Sequence, residues 1–250
     1  MAVQKDKEKE EKISAFIMRL REGAGTNLVS VILYGSAAVG DYVPDWSDTN
    51  LLCLLADTSF AELRKLEPAL ERWAKAGNRT PLLMGAGELK SAADVFSIEL
   101  LDMRQNYKVL WGEDLLKTLE IPTQFHRAQL EYELREKTIL LRQGLLAAAG
   151  SPKRLWEVLL RSLPGFATLF RHALMELGEP AACSKREAVQ KLAAKVGFEP
   201  SAFLRLMDVR ENKADPKNLN VDDLFATYLK EVDKVTTAVD RMLDSAPGGA

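Results

Sequence analysis

The chain has 250 residues, with 34 Lys and Arg against 36 Asp and Glu, and hydrophobic residues make up 47% of it. These values are typical of a globular protein with one large or two modest domains, and they argue against intrinsic disorder. The formal charge of −2 argues against nucleic acid as a partner, because a phosphate-contacting surface usually brings a basic excess. Two cysteines cannot build a disulfide framework, and no apolar run reaches the ~20 residues of a membrane span. We therefore expect a cytoplasmic protein that does not bind membranes.

The first part of the chain combines helical and strand patterns. Ile13, Phe16 and Leu20 share one face of a helix that follows a Lys- and Glu-rich start. Short apolar runs bounded by turn residues then predict strands, and a helix is predicted over 60–75. The predicted strands cover residues 28–34, 51–55, 81–84 and 96–101. The last of these depends on the alternation of apolar and other side chains in the run Phe96–Leu101.

After Asp114 the strand patterns stop, and the sequence predicts helices only. Ser151 followed by Pro152 fits a helix N-cap and first helical position. Pro164 is expected to kink or split the helix that contains it. The predicted helices cover residues 127–149, 152–177, 185–196, 201–210 and 221–244.

These patterns predict an α+β protein of two domains. A helix over 1–24 is expected to pack on the first domain, an α/β unit over 25–118. An all-helical domain is predicted over 119–244, and a disordered tail over 245–250. The charge balance and the absence of repeats are compatible with this division.

The segment that carries chemistry lies between the first two predicted strands. Gly35 and Ser36 end the first strand, and Asp48 stands at the opening of the second. A glycine at this position lets backbone approach a phosphate, and serine adds a hydroxyl. Residues two apart on a strand point to the same face, so a pair of carboxylates at 48 and 50 could hold a divalent metal. Here the second of these residues is Asn50.

This segment resembles the signature of the polymerase-β-like nucleotidyltransferase superfamily, and more closely that of its minimal and aminoglycoside nucleotidyltransferase branch. In that branch the motif runs Gly-Ser, a small residue, Arg-Gly-Asp, and then Ser-Asp-Ile-Asp-Leu. The segment 109–115 also resembles one that closes the domain, and a helical C-terminal domain is common there. The resemblance implies a small mixed sheet with flanking helices, followed by a helical bundle.

The resemblance assigns roles to the residues that match the motif. Gly35, Ser36 and Ser47 would bind the nucleotide phosphates, and Asp48 would be the principal metal ligand. Gly40 and Asp41 match the loop of the motif.

Two departures from the motif weaken the implied metal site. Val39 stands where the branch has a basic residue, and Asn50 replaces the second carboxylate. The third predicted strand contains no carboxylate, so the missing charge could come from Glu99, in the fourth predicted strand, or from Asp102, directly after it. The candidate catalytic residues are thus Asp48, Asn50 and Glu99, and the candidate metal ligands are Asp48, Asn50, Glu99 and Asp102.

The resemblance implies transfer of a nucleoside monophosphate from a triphosphate to a hydroxyl. ATP is the first candidate for the triphosphate, Mg²⁺ for the cofactor, and a small molecule or a protein for the acceptor. Because Asn50 carries no charge, an alternative stays open. The chain would then be a catalytically impaired protein of this fold that acts in nucleotide sensing or in protein–protein interaction. Whether it is an enzyme and whether it forms a homodimer are also open.

The two histidines, His126 and His172, lie far apart in the sequence. Neither has a Cys or carboxylate companion at the spacing of metal ligands, so a zinc site is not expected. Neither follows an arginine by four to six residues, which excludes the ribonuclease motif found in helical domains of two-gene nucleotidyltransferase systems.

Overall fold

The computed structural model of the protein describes residues 2–38, 49–180 and 183–244, with side chains described between residues 8 and 241. The chain divides into two compact units, Met1–Ile121 and Pro122–Ala250. The tail predicted over 245–250 lies outside the described residues. So do the motif residues Val39, Gly40, Asp41, Ser47 and Asp48.

The first unit is built on a mixed sheet of four strands. They are β1 (Leu28–Tyr34), β2 (Asn50–Leu55), β3 (Leu82–Gly85) and β4 (Tyr107–Gly112), in the order β3-β2-β1-β4. Strand β1 pairs antiparallel with β2 and β4, and β2 pairs parallel with β3. The predicted α+β fold with a small mixed sheet is therefore confirmed.

Helices cover both faces of this sheet. They are α1 (Ala2–Ala24), α2 (Phe60–Lys75), α3 (Ala86–Ser91) and α4 (Ser97–Gln105). On one face, Phe16 of α1 stacks on Trp73 of α2, with ring centroids 4.5 Å apart. On the other face, Ile32 and Leu52 belong to the apolar core that includes Leu100 of α4. The alternation of side chains along β1 and β2 thus supplies two separate cores, one for each pair of helices.

The fourth strand predicted over 96–101 is wrong, because these residues begin helix α4. Alternation over so few residues does not separate a strand from a helix whose buried residues happen to alternate. Ile98 and Leu100 are buried, as the alternation requires, but so are Ser97 and Met103, which complete a helical face. The fourth strand of the sheet is instead β4, which the sequence analysis did not predict.

The described part of the second unit is all-helical. Its α-helices are α5 (His126–Ala148), α6 (Pro152–Glu176), α7 (Lys185–Val196), α8 (Ser201–Arg210) and α9 (Val221–Asp244). These bounds confirm the five predicted helices to within one residue at each end. The aromatic core includes Phe170 and Tyr228, which both pack against Phe203.

Helix α6 continues through Pro164, so the expected split does not occur. A proline cannot donate to the carbonyl four residues earlier, which here belongs to Leu160. The side chain of Arg210 on α8 donates to that carbonyl oxygen at 2.7 Å. A neighbouring helix thus satisfies the acceptor that proline leaves open, which offsets part of the cost of proline inside a helix. Across the residues that the structure describes, no helix is long and apolar enough to cross a membrane.

Candidate functional site

Gly35 directly follows strand β1 and begins a short 3₁₀ turn, Gly35–Ala38. Its φ of +75° lies in the left-handed region, which favours glycine. A Cβ atom added to Gly35 would lie 3.4 Å from the side-chain nitrogen of Asn50, in van der Waals contact with it. The Gly35 N–H donates to the carbonyl oxygen of Asn106 at 2.9 Å. Because this N–H is engaged and glycine has no side chain, the Cα is the part of Gly35 that a ligand could approach.

Asn50 belongs to a row of polar side chains that crosses three strands. Its backbone lies opposite Tyr34 of β1, and Tyr34 lies opposite Tyr107 of β4. Residues directly opposite in antiparallel strands point to the same face of a sheet, so the three side chains share one face. All three are half-buried, which leaves the row partly accessible.

The phenol of Tyr34 has charged neighbours of both signs. Burial raises the pKa of Tyr34 above its ordinary value, the nearby positive charge of Arg79 opposes that rise, and the negative charge of Asp102 adds to it. Arg79 lies between α2 and β3, whereas Asp102 lies on α4. The structure therefore brings a cation and a carboxylate to the row of Asn50, Tyr34 and Tyr107.

The predicted site residues that the structure describes fall into two groups. Gly35, Ser36 and Asn50 lie together where β1 ends and β2 begins. Glu99 and Asp102 lie on α4, half-buried, and their three-residue spacing places them on neighbouring positions of one helix face. Glu99 is thus a helix residue and not the strand residue that the sequence predicted.

The described residues do not assemble the carboxylate site that the motif implies for a metal. Among them, no group of three or more His, Cys, Asp and Glu side chains could hold a metal ion. Asn50 brings a neutral amide, and its nitrogen, not its oxygen, lies against Gly35. Because Mg²⁺ is bound by oxygen ligands and chiefly by carboxylates, this donor set does not fit a second metal ligand at position 50. Asp48, the principal predicted ligand, lies outside the described residues.

A second polar cluster, in the helical unit, was missed by the sequence analysis. His126 Nε2 and His172 Nδ1 are 2.8 Å apart and hydrogen-bonded. The other ring nitrogen of His126, Nδ1, is hydrogen-bonded to the Glu176 carboxylate. The two histidines are far apart in the sequence but meet because α5 and α6 pack side by side, and Glu176 is a carboxylate companion that the sequence analysis did not identify. The available signal was the four-residue spacing of His172 and Glu176, which places them on one helix face.

His172 ends this cluster in a fully buried position. The side chain is 0% exposed, and its Nε2 atom has no hydrogen-bond partner among the described residues. Burial lowers the pKa of His172 to about 3, and its neighbours His126 and Arg171 act in the same direction. A neutral His172 donates its Nδ1–H to His126, which can then donate to Glu176. Both histidines of the cluster are buried, so we expect substitutions there to change the stability of the helical unit.

No family model matches the chain, and no curated protein matches it. Solved structures do. A spectinomycin adenyltransferase, AAD(9) from Enterococcus faecialis, solved with ATP and spectinomycin, is similar at a TM-score of 0.54 and 16% sequence identity. The similarity covers 90% of this chain and 98% of that one. A toxin–antitoxin structure with AMP-PNP matches at a TM-score of 0.29 and 21% identity, over 40% of this chain and 73% of that one. The similarity to the adenyltransferase shows a shared nucleotidyltransferase fold, with a sheet unit and a helical C-terminal region.

Proposed function

We propose that this chain, which has the fold of a nucleotidyltransferase, binds a nucleoside triphosphate where β1 ends and β2 begins. The observation that carries the proposal is the conformation of Gly35, whose positive φ and missing side chain would let a phosphate approach the backbone beside Ser36 and Asn50. ATP is the first candidate, because the adenyltransferase that shares this fold was solved with ATP.

The reaction that fits this fold is transfer of the nucleoside monophosphate to a hydroxyl. The acceptor oxygen would attack the α-phosphorus and form a new P–O bond, while the bond to the leaving pyrophosphate breaks and the hydroxyl proton is released to water. In this proposal Ser36 and Asn50 orient the phosphates, and Arg79 supplies a positive charge beside them. A small-molecule acceptor is favoured over a protein acceptor, since the similar adenyltransferase was solved with spectinomycin.

A second candidate is a protein that binds the nucleotide without transferring it. The neutral Asn50 favours this reading, because charge at the second motif position is what the implied metal chemistry depends on. Such a protein would act in nucleotide sensing or in protein–protein interaction.

Calorimetric titration tests the binding step. ATP should bind, whereas adenosine should bind at least about tenfold more weakly. Adenosine lacks the phosphates that the Gly35 turn is proposed to contact. Equal affinity for the two ligands, or no binding of ATP, would contradict the proposal.

Release of pyrophosphate then separates the two candidate functions. The wild-type protein is incubated with ATP labelled at the α-phosphate and with a panel of hydroxyl-bearing small molecules and proteins. Pyrophosphate release with label on an acceptor supports transfer, and the labelled species shows whether that acceptor is a small molecule or a protein. Binding of ATP without release under any condition supports the sensing alternative.

A further inference from the structure

We propose that Asn50 is a hydrogen-bond donor to the polyphosphate and not a ligand of a cation. Nucleotide binding by this chain would then depend little on divalent metal. The inference rests on the proposed binding of a nucleoside triphosphate and goes beyond it by assigning a role to the residue that departs from the motif.

The orientation of the amide is the first observation. The atom of Asn50 that lies against Gly35 is the nitrogen, at 3.4 Å from the place a Cβ would occupy. An amide nitrogen carries two donors and no acceptor. The side chain therefore places its donors beside Gly35, where the phosphate is proposed to lie.

The engagement of the Gly35 backbone is the second observation. In many phosphate sites, backbone N–H groups of a glycine turn bind the anion. Here the Gly35 N–H donates to Asn106, so it is not available to a ligand. The Asn50 amide lies next to it and can supply the donor that the backbone lacks.

The surrounding charge is the third observation. Asp102 already places a negative charge close enough to Tyr34 to raise the pKa of that neighbouring phenol. A second carboxylate at position 50 would add to the negative charge that a triphosphate meets unless a cation lay between them. A neutral amide avoids this repulsion, and Arg79 contributes a positive charge to the same neighbourhood.

The experiment measures ATP affinity in Mg²⁺ and in EDTA for the wild type, Asn50→Asp and Asn50→Ala. Aspartate has the size of asparagine but replaces the donors by a charged acceptor. Wild-type affinity should change by less than about tenfold between the two buffers. Asn50→Asp should bind at least about tenfold more weakly in EDTA and recover in Mg²⁺, whereas Asn50→Ala should be about tenfold weaker in both, since a hydrogen bond to a charged group is lost.

Asn220→Asp is the matched control. The side-chain oxygen of Asn220 accepts the Asp222 N–H at 3.0 Å, and an aspartate oxygen can accept the same hydrogen bond. This variant makes the same change of charge in the other unit, so it should bind ATP like the wild type. A measurement without mutation is also available: the Asn50 side-chain NH₂ resonances of the wild type should shift when ATP is added in EDTA.

Two results would overturn the inference while leaving the proposed function intact. One is wild-type binding that requires Mg²⁺ and tightens in Asn50→Asp, which would make Asn50 a weakened metal ligand. The other is an Asn50→Ala variant that binds like the wild type. Failure of the wild type to bind ATP in either buffer would instead overturn the proposed function, and the inference with it.

Discussion

In the sheet unit, the polar side chains of interest are half-buried at the ends of β1 and β2, above cores that are almost entirely apolar. In the helical unit, polar groups lie inside the core itself, where His126, His172 and Arg171 are each at most 4% exposed. The first arrangement leaves polar atoms accessible to a ligand. In the second arrangement, the polar side chains of α5 and α6 are hydrogen-bonded to each other across the two helices. The His172 Nε2 atom has no hydrogen-bond partner in the described part of the structure.

This difference distinguishes a candidate binding site, in the sheet unit, from a buried polar cluster that affects stability, in the helical unit. Half-buried polar atoms at the ends of strands can exchange water for a ligand at little cost, so substitutions there should change binding more than folding. Buried titratable groups must be neutral or paired, because burial penalises charge. Substitutions among them should therefore change stability, and in a way that depends on pH.

The largest expected effect comes from the apolar core of the sheet unit. Leu52 is 0% exposed, so Leu52→Ala should lower the free energy of unfolding by about 2–5 kcal/mol, with little dependence on pH. Leu82→Ala is the control, because Leu82 is 42% exposed and its truncation should cost much less. Urea unfolding at two pH values measures both. A loss of unfolding free energy that grows strongly on acidification would contradict the expectation that this core is apolar and does not titrate.

His172 should make the helical unit sensitive to acid. Its pKa is about 3 in the folded protein, so the unfolded chain binds a proton first as the pH falls below about 6.5. Stability should then fall between pH 6.5 and 3 by up to about 1.4 kcal/mol per pH unit, and this loss should be absent above that window.

His172→Gln tests this assignment, because glutamine keeps a neutral donor toward His126 but does not titrate. In the variant, the unfolding free energy should fall less steeply with decreasing pH, by about 1.4 kcal/mol per pH unit, which corresponds to the uptake of one proton. This holds whatever the stability of the variant at neutral pH. Hydrogen exchange of the α5 and α6 amides locates the change. A slope that equals that of the wild type would show that His172 does not control the acid response.

Gly35→Ala should lower both the stability of the protein and its affinity for ATP, with the larger effect on ATP affinity. Its φ of +75° costs an alanine roughly 1–2 kcal/mol, and the alanine Cβ would lie in contact with the Asn50 amide, beside the proposed phosphate. Gly178→Ala carries the same strain at φ +79° with open space around it, so it should lose similar stability but keep ATP affinity. Calorimetry and urea unfolding compare the two variants. Equal ATP affinity in both would remove Gly35 from the site.

The smallest expected effect is at the surface of the helical unit. Arg142 pairs with Asp233 at 2.8 Å, but both side chains are about half exposed. Exposed ion pairs contribute little because solvent and salt screen them, so Arg142→Ala should cost less than about 1 kcal/mol. This change should shrink further in high salt. A larger, salt-independent loss would mean that Arg142 acts through packing of its aliphatic stem.

Much of the fold follows from local patterns. The helices α2, α7, α8 and α9 begin and end where the apolar periodicity and the capping residues predict. Strand β1 likewise coincides with its apolar run, because a strand that is buried on both faces needs apolar side chains along most of its length. The patterns failed at α4, where the buried residues Ile98 and Leu100 are two apart in the sequence, as they would be on one face of a strand. They also failed at β4, because that strand is defined by its pairing with β1, which lies far away in the sequence.

The sequence by itself determined the fold class and the position of the candidate site along the chain. The spacing of Gly35, Ser36 and Asn50 between two apolar strands is a local property, and local properties survive in the folded chain. Only the tertiary structure decided which distant groups meet: that Asp102 and Arg79 lie near Tyr34, and that two histidines far apart in the chain share a hydrogen bond. Such contacts depend on how helices pack on a sheet or on each other, which no spacing along the chain encodes.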